Sequence, residues 1–340
     1  MKGIVIKSKH DLECTELANP DVSEQEVLVQ VKASGICGTD VHVYEGEVPL
    51  AKLPVVPGHE FCGVVLETGK NVQDISPGDR VAVEPNLFCG KCHFCRNAKK
   101  HFCRNWGAVG LTRDGGFAEL AAVPDQAIYK MPDSISYSLG AFFEPLACVL
   151  HGIERSGARA GDAVVVQGSG SIGLLFIQAL RVMGMRSIFS IDIDDTKLTL
   201  ARKLGATETI NPGKESARDA VMALTDGLGA GIVIDAAGVE QSLNQSFDLV
   251  KDTGTIVIFG VPAEKMRLPV KMYDIYRREL RVVGSFTNPY TNEQALNLLS
   301  TGRIHVDDII TDIIPLTDVE QALVDIREGS RSITKVQIKP

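Results

Sequence analysis

The sequence has 340 residues, of which 44% are hydrophobic and 23% charged, and a formal charge of −8. That length and ordinary globular composition suit two domains, each able to bury its own core. The acidic balance and the lack of a long basic run argue against nucleic acid as a partner, since phosphate binding needs clustered Lys and Arg. The first residues lack the apolar stretch of a signal peptide, and no run of about 18 apolar residues suits a membrane span. A cytoplasmic chain is therefore expected. Its eight cysteines are read as thiols or metal ligands rather than disulfides.

Taken in chain order, residues 1–150 read as strand-rich. Short apolar runs at 27–31, 63–66 and 80–83 are separated by Gly, Pro and Asp turn signals, and helical periodicity is scarce. The texture changes near residue 160. Residues 163–167 form an apolar run typical of a buried parallel strand, followed by a glycine loop and an apolar helix over 172–183. A strand at 187–192, a helix at 194–204, and strands at 231–235 and 254–259 continue the alternation until 281–286. Strands and helices alternating at this length predict a parallel sheet covered by helices on both faces. The tail from 291 to 340 reads as helices at 294–300 and 319–326 and a strand at 334–339, packed back on the first domain.

Cys89, Cys92, Cys95 and Cys103 form C-x2-C-x2-C-x7-C. Four thiolates surround one zinc tetrahedrally, and two-residue gaps let a single loop wrap the ion. Four unrelated thiols and an iron–sulfur cluster are the rivals. Bacterial clusters of that kind place the last Cys closer and before a Pro. A four-thiolate zinc leaves no open position and is structural.

A second set is scattered. Cys37 stands in Gly35-Ile36-Cys37-Gly38-Thr39-Asp40-Val41-His42, His59 in Gly58-His59-Glu60, and Glu144 in Phe143-Glu144-Pro145. Cys37, His59 and a carboxylate offer S, N and O ligands, the pattern of a catalytic zinc with one position left open. An open zinc lowers the pKa of an alcohol oxygen. Thr39 and His42 follow Cys37 closely enough to pass its proton outward. The alternative is that Thr39 caps a helix and His42 is a surface residue.

Gly168-Ser169-Gly170-Ser171-Ile172-Gly173 is G-x-G-x-x-G between a strand and a helix pattern. Glycines there allow a tight turn, close approach of a pyrophosphate and close helix packing. Asp192 ends the next strand. A carboxylate at that place bonds a free ribose and repels a 2′-phosphate, which favours NAD over NADP. Lys197 follows within reach of the same ribose.

These residues and their order resemble the zinc-containing medium-chain dehydrogenase/reductase family along nearly the whole chain. The stretch Gly58-His59-Glu60-Phe61-Cys62-Gly63, with Gly69 and Val72, is similar to its zinc signature. The resemblance implies an α/β chain: a GroES-like β-rich catalytic domain over 1–150 and 287–340, interrupted by a Rossmann doubly wound NAD-binding domain over 151–286, with the active site between them. It implies two Zn2+ per subunit. Cys37, His59, Glu60 and Glu144 hold the catalytic ion, and the four-cysteine loop the structural one. It implies a proton relay through Thr39 and His42, ribose contacts from Asp192 and Lys197, and cofactor contacts from Gly168, Gly170, Ser171, Ile172 and Gly173.

Glu144 stands where classical alcohol dehydrogenases carry a cysteine, which points towards the polyol and threonine branches. Asn86 stands where threonine enzymes carry a His, and Thr287 where sorbitol enzymes carry a substrate-binding Arg. The expected substrate is a polyol, sugar alcohol or sugar acid, phosphorylated or not. L-Threonine or a vicinal diol is the alternative, and a non-catalytic nucleotide-binding protein the remote one. A dimer or tetramer is expected, with residues 254–262 as the outer strand that pairs across subunits. Cys14, Cys62 and Cys148 are read as packing.

Overall fold

The computed structural model describes residues 1–185 and 187–340. The chain divides into two compact units, Met1–Ala147 with Pro289–Pro340, and Cys148–Asn288.

The first unit is built on a seven-stranded sheet. The strand Glu26–Gly35 is its hub, pairing antiparallel with Glu60–Thr68, Leu120–Pro124 and Lys335–Ile338. Arg80–Val83 and then Ile128–Lys130 extend it on one side, and Ile310–Ile314 lies parallel to Lys335–Ile338 on the other. Val27, Val29, Val31, Phe61, Val65, Val81, Val83 and Val123 fill one core. β-branched side chains dominate it, as suits a pleated and buried surface. A second core joins Val41, Val43 and Tyr44 of the helix Gly38–Tyr44 to Val319, Ala322 and Leu323 of the helix Val319–Glu328. The tail thus completes the first unit's sheet and covers its short helix.

Four α-helices begin within residues 1–150, two of them the four-residue His93–Arg96 and Tyr137–Gly140. Gly38–Tyr44 is short, and Phe143–Ser156 runs for 14 residues. Glu144, Cys148, His151 and Arg155 recur at i, i+4, i+7 and i+11 on one face of the longer helix, although residues 143–153 are buried except for the half-buried Cys148. Its Pro145 sits in the first turn, where a missing N–H costs nothing. Cys62 is buried as expected and donates its thiol to the Tyr137 carbonyl at 3.1 Å. Cys14, expected in packing, is instead exposed on the strand Asp11–Glu16, whose partner Lys2–Ser8 buries only its own Ile4 and Ile6.

The second unit is a six-stranded, all-parallel sheet. Its strand order is Glu208–Ile210, Ser187–Ile191, Ala163–Gln167, Ala230–Asp235, Val250–Ile258, Arg281–Gly284. Numbered along the chain, that is 3-2-1-4-5-6, the doubly wound Rossmann arrangement. Val164, Val165 and Val166 are fully buried, as a central parallel strand requires. The helix Ser171–Val182 follows the first strand and is buried from Gly173 to Leu180. The expected outer strand at 254–262 is corrected. Val250–Ile258 is hydrogen-bonded on both sides, so the edge on that side belongs to Arg281–Gly284 and the opposite one to Glu208–Ile210. Among the described residues, no helix is long and apolar enough to cross a membrane.

Candidate metal and nucleotide sites

The first site grows from the turn after the hub strand. Cys37 precedes the helix Gly38–Tyr44 in extended backbone geometry. The fully buried Asp40 accepts the Cys37 backbone N–H at 2.8 Å, which fixes the helix start. Its other oxygen lies 3.5 Å from His59 Nδ1. Neither of those two atoms makes a hydrogen bond, so Asp40 holds Cys37 directly and meets His59 Nδ1 only as a neighbouring charge, with Nε2 as the ring atom left for a metal. The ligand atoms of Cys37, His59 and Glu60 lie within 4.8 Å of one another. Glu60 begins the strand Glu60–Thr68 and faces Gly35 in the ladder.

Glu60 has a partner that no local pattern announces. Lys335, from the last strand, bonds its Oε2, and the same ammonium donates to the Ile36 carbonyl at 2.9 Å. Both side chains are buried, Lys335 4% and Glu60 2% exposed. Gly35 is required beside them, since a Cβ there would stand 2.3 Å from Glu60 Oε2 and 2.8 Å from Lys335 Cε.

Electrostatics favour a cation. Burial works against a charged His59, but the charges of Asp40 and Cys37 raise its pKa well above the ordinary value. Burial likewise opposes a charged Lys335, and Glu60, Cys37 and Asp40 more than offset it. A thiol, an imidazole and a carboxylate in an anionic, buried setting fit a divalent ion of borderline softness.

Of the other predicted residues, two lie on the helix that follows Cys37. Thr39 Oγ1 lies 3.7 Å from Cys37 Sγ. His42 is on the last turn of the same helix, half exposed, with Nδ1 2.8 Å from Glu47 Oε2. Glu144 is buried in the first turn of Phe143–Ser156 and is not one of the three clustered ligands. Thr287, in the second unit, holds a left-handed φ of 55°, and its Oγ1 is buried with no hydrogen-bond partner. A β-branched residue there is strained.

Cys89, Cys92, Cys95 and Cys103 also close to within 4.8 Å, and all four are free thiols. Cys92 Sγ is 3.5 Å from Cys95 Sγ and 3.9 Å from Cys103 Sγ. Backbone N–H groups of Cys89 and Asn105 point at Cys103 Sγ, each at 3.3 Å. Backbone N–H groups of Cys95 and Arg104 pull Cys92 down to about 6, whereas burial pushes Cys95 up to about 12. N–H donors aimed at sulfur suit thiolates around a metal.

In the second unit, the three glycines do three separate things. Gly168 has φ +91°, which sets the turn. A Cβ on Gly170 would meet nothing within 4 Å, so the backbone there is open to a ligand. A Cβ on Gly173 would stand 1.8 Å from the Gly168 carbonyl oxygen, so only glycine lets the helix pack on the loop. Gly170 precedes the helix Ser171–Val182 without a side-chain cap, leaving its first N–H groups for an anion. Asp192 accepts the Ser169 N–H at 2.6 Å and the Asp194 N–H at 2.9 Å. Asp194 caps the helix Asp195–Lys203, which carries the half-buried Lys197. The loop fits a dinucleotide pyrophosphate.

Sequence reasoning passed over Asp40 and Lys335. Asp40 had a signal, since an acidic residue three positions after a helix start is half of a capping box. Lys335 had none, because it lies 275 residues from Glu60.

Comparison with known proteins adds a direct test of kinship. The sequence model described as "alcohol dehydrogenase GroES-like domain" matches residues 23–133, and that described as "zinc-binding dehydrogenase" matches 171–301. The D-arabitol-phosphate dehydrogenase of Enterococcus avium is 34% identical, over 96% of this chain and 93% of its own. A putative zinc-binding dehydrogenase from Sinorhizobium meliloti 1021, solved bound to NADP, superposes with a TM-score of 0.94 at 38% identity, covering 100% of this chain and 99% of its own. Galactitol-1-phosphate dehydrogenase from Escherichia coli superposes with a TM-score of 0.92 at 29% identity, over 100% of both chains.

Proposed function

Since this chain belongs to the zinc-containing alcohol dehydrogenase family, with both family models matched in order, we propose that it moves a hydride between a secondary hydroxyl of a polyol, sugar alcohol or sugar acid and NAD. The observation that carries the reading is the cluster of half-buried Cys37 with buried His59 and Glu60, set against the Asp40 carboxylate. A relative that acts on arabitol phosphate and a structural neighbour that acts on galactitol 1-phosphate support the polyol class and make phosphorylated substrates the first to test.

Cys37, His59 and Glu60 hold a catalytic zinc, with Glu144 as a further carboxylate for it. Cys89, Cys92, Cys95 and Cys103 hold a structural zinc, giving two per subunit. When bound, zinc supplies a Lewis acid for an alcohol oxygen, and the nicotinamide supplies the hydride acceptor. The residues do the rest. The Asp40 carboxylate, 3.5 Å from His59 Nδ1, favours a proton at that nitrogen. Thr39 takes the proton released by the reacting hydroxyl, and His42 delivers it to solvent. The Glu47 carboxylate at His42 Nδ1 leaves Nε2 free to receive it.

The experiment is a turnover screen of D-arabitol, galactitol, their phosphates, L-threonine and 2,3-butanediol with NAD, followed by NADH absorbance. Polyol turnover is expected; good turnover on threonine with none on polyols would overturn the substrate class.

The preference for NAD rests on Asp192, and the neighbour bound to NADP makes this the point to test. Asp192→Ala is expected to raise the NAD KM about 10- to 100-fold, the worth of lost hydrogen bonds to a charged group. It should also narrow the discrimination against NADP. Unchanged kcat/KM for both cofactors would remove Asp192 from that role.

The chain forms a dimer or tetramer through the free edge Arg281–Gly284, where Val282 is exposed and the helix Met272–Arg277 presents Met272, Tyr273 and Tyr276 to solvent. Val282→Asp should shift the size-exclusion peak to a smaller species. An unshifted oligomer would place the interface elsewhere.

A further inference from the structure

The strand Ala230–Asp235 of the second unit ends on Asp235, which is fully buried. In the sheet Asp235 stands opposite Gln167 on one side and Ile258 on the other. In the order 3-2-1-4-5-6 it ends the fourth strand, and Gln167 ends the first. Those two strands flank the point where the winding reverses, and dinucleotides bind in the crevice outside the carboxyl ends of the strands there. Asp235 ties that point together. Its Oδ1 accepts the Gly238 N–H at 2.6 Å. Its backbone carbonyl accepts the N–H groups of Phe259 at 3.0 Å and Gly260 at 2.8 Å. The next residue, Ala236, donates to the Gln167 carbonyl at 2.9 Å.

The turn that Asp235 closes touches the glycine loop. A Cβ on Gly168 would stand 3.1 Å from the Ala237 nitrogen. On the other side, a Cβ on Gly260 would stand 2.4 Å from the Gly238 nitrogen, and Gly238 itself holds φ +70°. The loop tips after the first, fourth and fifth strands are therefore packed on one another, and the Asp235 side chain fixes the middle one. A carboxyl group is costly there. Burial pushes its pKa up, although the Ser242 hydroxyl and the Gly238 and Ala237 N–H groups pull it down. Its Oδ2 makes no hydrogen bond. A buried polar atom left unsatisfied costs stability, so packing alone does not account for this group.

We propose that Asp235 is a positioning residue for the nicotinamide dinucleotide: by holding the Gly238 N–H, it sets the turn at 236–238 against the glycine loop as a second wall of the crevice. Asp235 acts through that turn and does not touch the dinucleotide itself. This rests on the dehydrogenase reading but not on which dinucleotide or alcohol the enzyme uses. The test titrates NADH and NADPH into the zinc-loaded protein without alcohol, followed by nucleotide fluorescence. A wild-type protein that binds neither would overturn the dehydrogenase reading and this proposal with it; the variants below decide the proposal alone.

Asp235→Asn keeps an oxygen for the Gly238 N–H and is expected to bind the preferred dinucleotide within about threefold of wild type. Asp235→Leu removes that acceptor at similar volume. It is expected to weaken binding about 10- to 100-fold, the worth of a hydrogen bond to a charged group. Its kcat and alcohol KM at saturating dinucleotide should stay within about twofold of wild type, whereas a general loosening of the unit would move them too. Wild-type affinity in Asp235→Leu, or equal weakening in both variants, would overturn the proposal. Hydrogen exchange on the wild-type protein gives a readout free of mutation. Amides at 236–239 and at 169–173 should slow together when the dinucleotide is added, and unchanged exchange at 236–239 would also overturn it.

Discussion

Cys37→Ser is expected to cost one equivalent of zinc and at least about a thousandfold in turnover, since Lewis-acid assistance is worth several kcal/mol and each 1.4 kcal/mol is a factor of ten. The effect should be local. Cys37 is held by its own backbone N–H to Asp40, and that bond survives the substitution. The second equivalent of zinc, at Cys89, Cys92, Cys95 and Cys103, should remain. Metal analysis beside steady-state rates checks both parts. A variant that keeps two zinc ions and normal turnover would remove Cys37 from the site.

Lys335→Met is expected to destabilise the metal-free protein by about 3–5 kcal/mol, because it strands the Glu60 carboxylate in a buried position without its cation. For a unit of this size that is a fall in Tm of roughly 6–20 °C. Adding Glu60→Gln to the same chain removes the stranded charge and should recover most of the loss. A zinc bound as proposed would also neutralise Glu60, so the loss is then expected to shrink when the protein is loaded. Thermal melts of single and double variants, with and without zinc, separate these effects. A Lys335→Met protein that melts like wild type in every condition would show that Glu60 does not depend on Lys335.

The two halves of the molecule were unequally legible in the sequence. In the second unit, the signals are local. Val164 to Val166 can only be a buried strand, and the glycine loop is a contiguous motif. The strand at 163–167 therefore agrees with the structure in both ends, and the helix at 172–183 is offset by one residue at each. What pattern does not encode is lateral order, so residues 254–262 read as an edge although two neighbours flank them. In the first unit, strands are short and pair across long separations. The helix Phe143–Ser156 did carry a local signal, the face of Glu144, His151 and Arg155 at helical spacing, which a reading of residues 1–150 as strand-rich passes over because the helix starts only at its end.

The candidate site divides in the same way. Cys37, His59 and Glu60 were visible as ligand types, and the structure brings them together. Lys335 reaches Glu60 only because the last strand returns to pair with the hub strand, a long-range event that no window of sequence contains.

On the proposed NAD reading, Asp192 would tie cofactor choice to loop architecture. Its two carboxylate oxygens are taken by the Ser169 and Asp194 backbone N–H groups. Any replacement small and neutral enough to admit a 2′-phosphate also releases those two donors. A lineage, or an engineer, moving this chain from one nicotinamide to the other would need a second change that supplies an acceptor for Ser169. If Asp192 sets the preference as proposed, changing it would take a two-step path, with a single-substitution intermediate expected to recognise neither dinucleotide well.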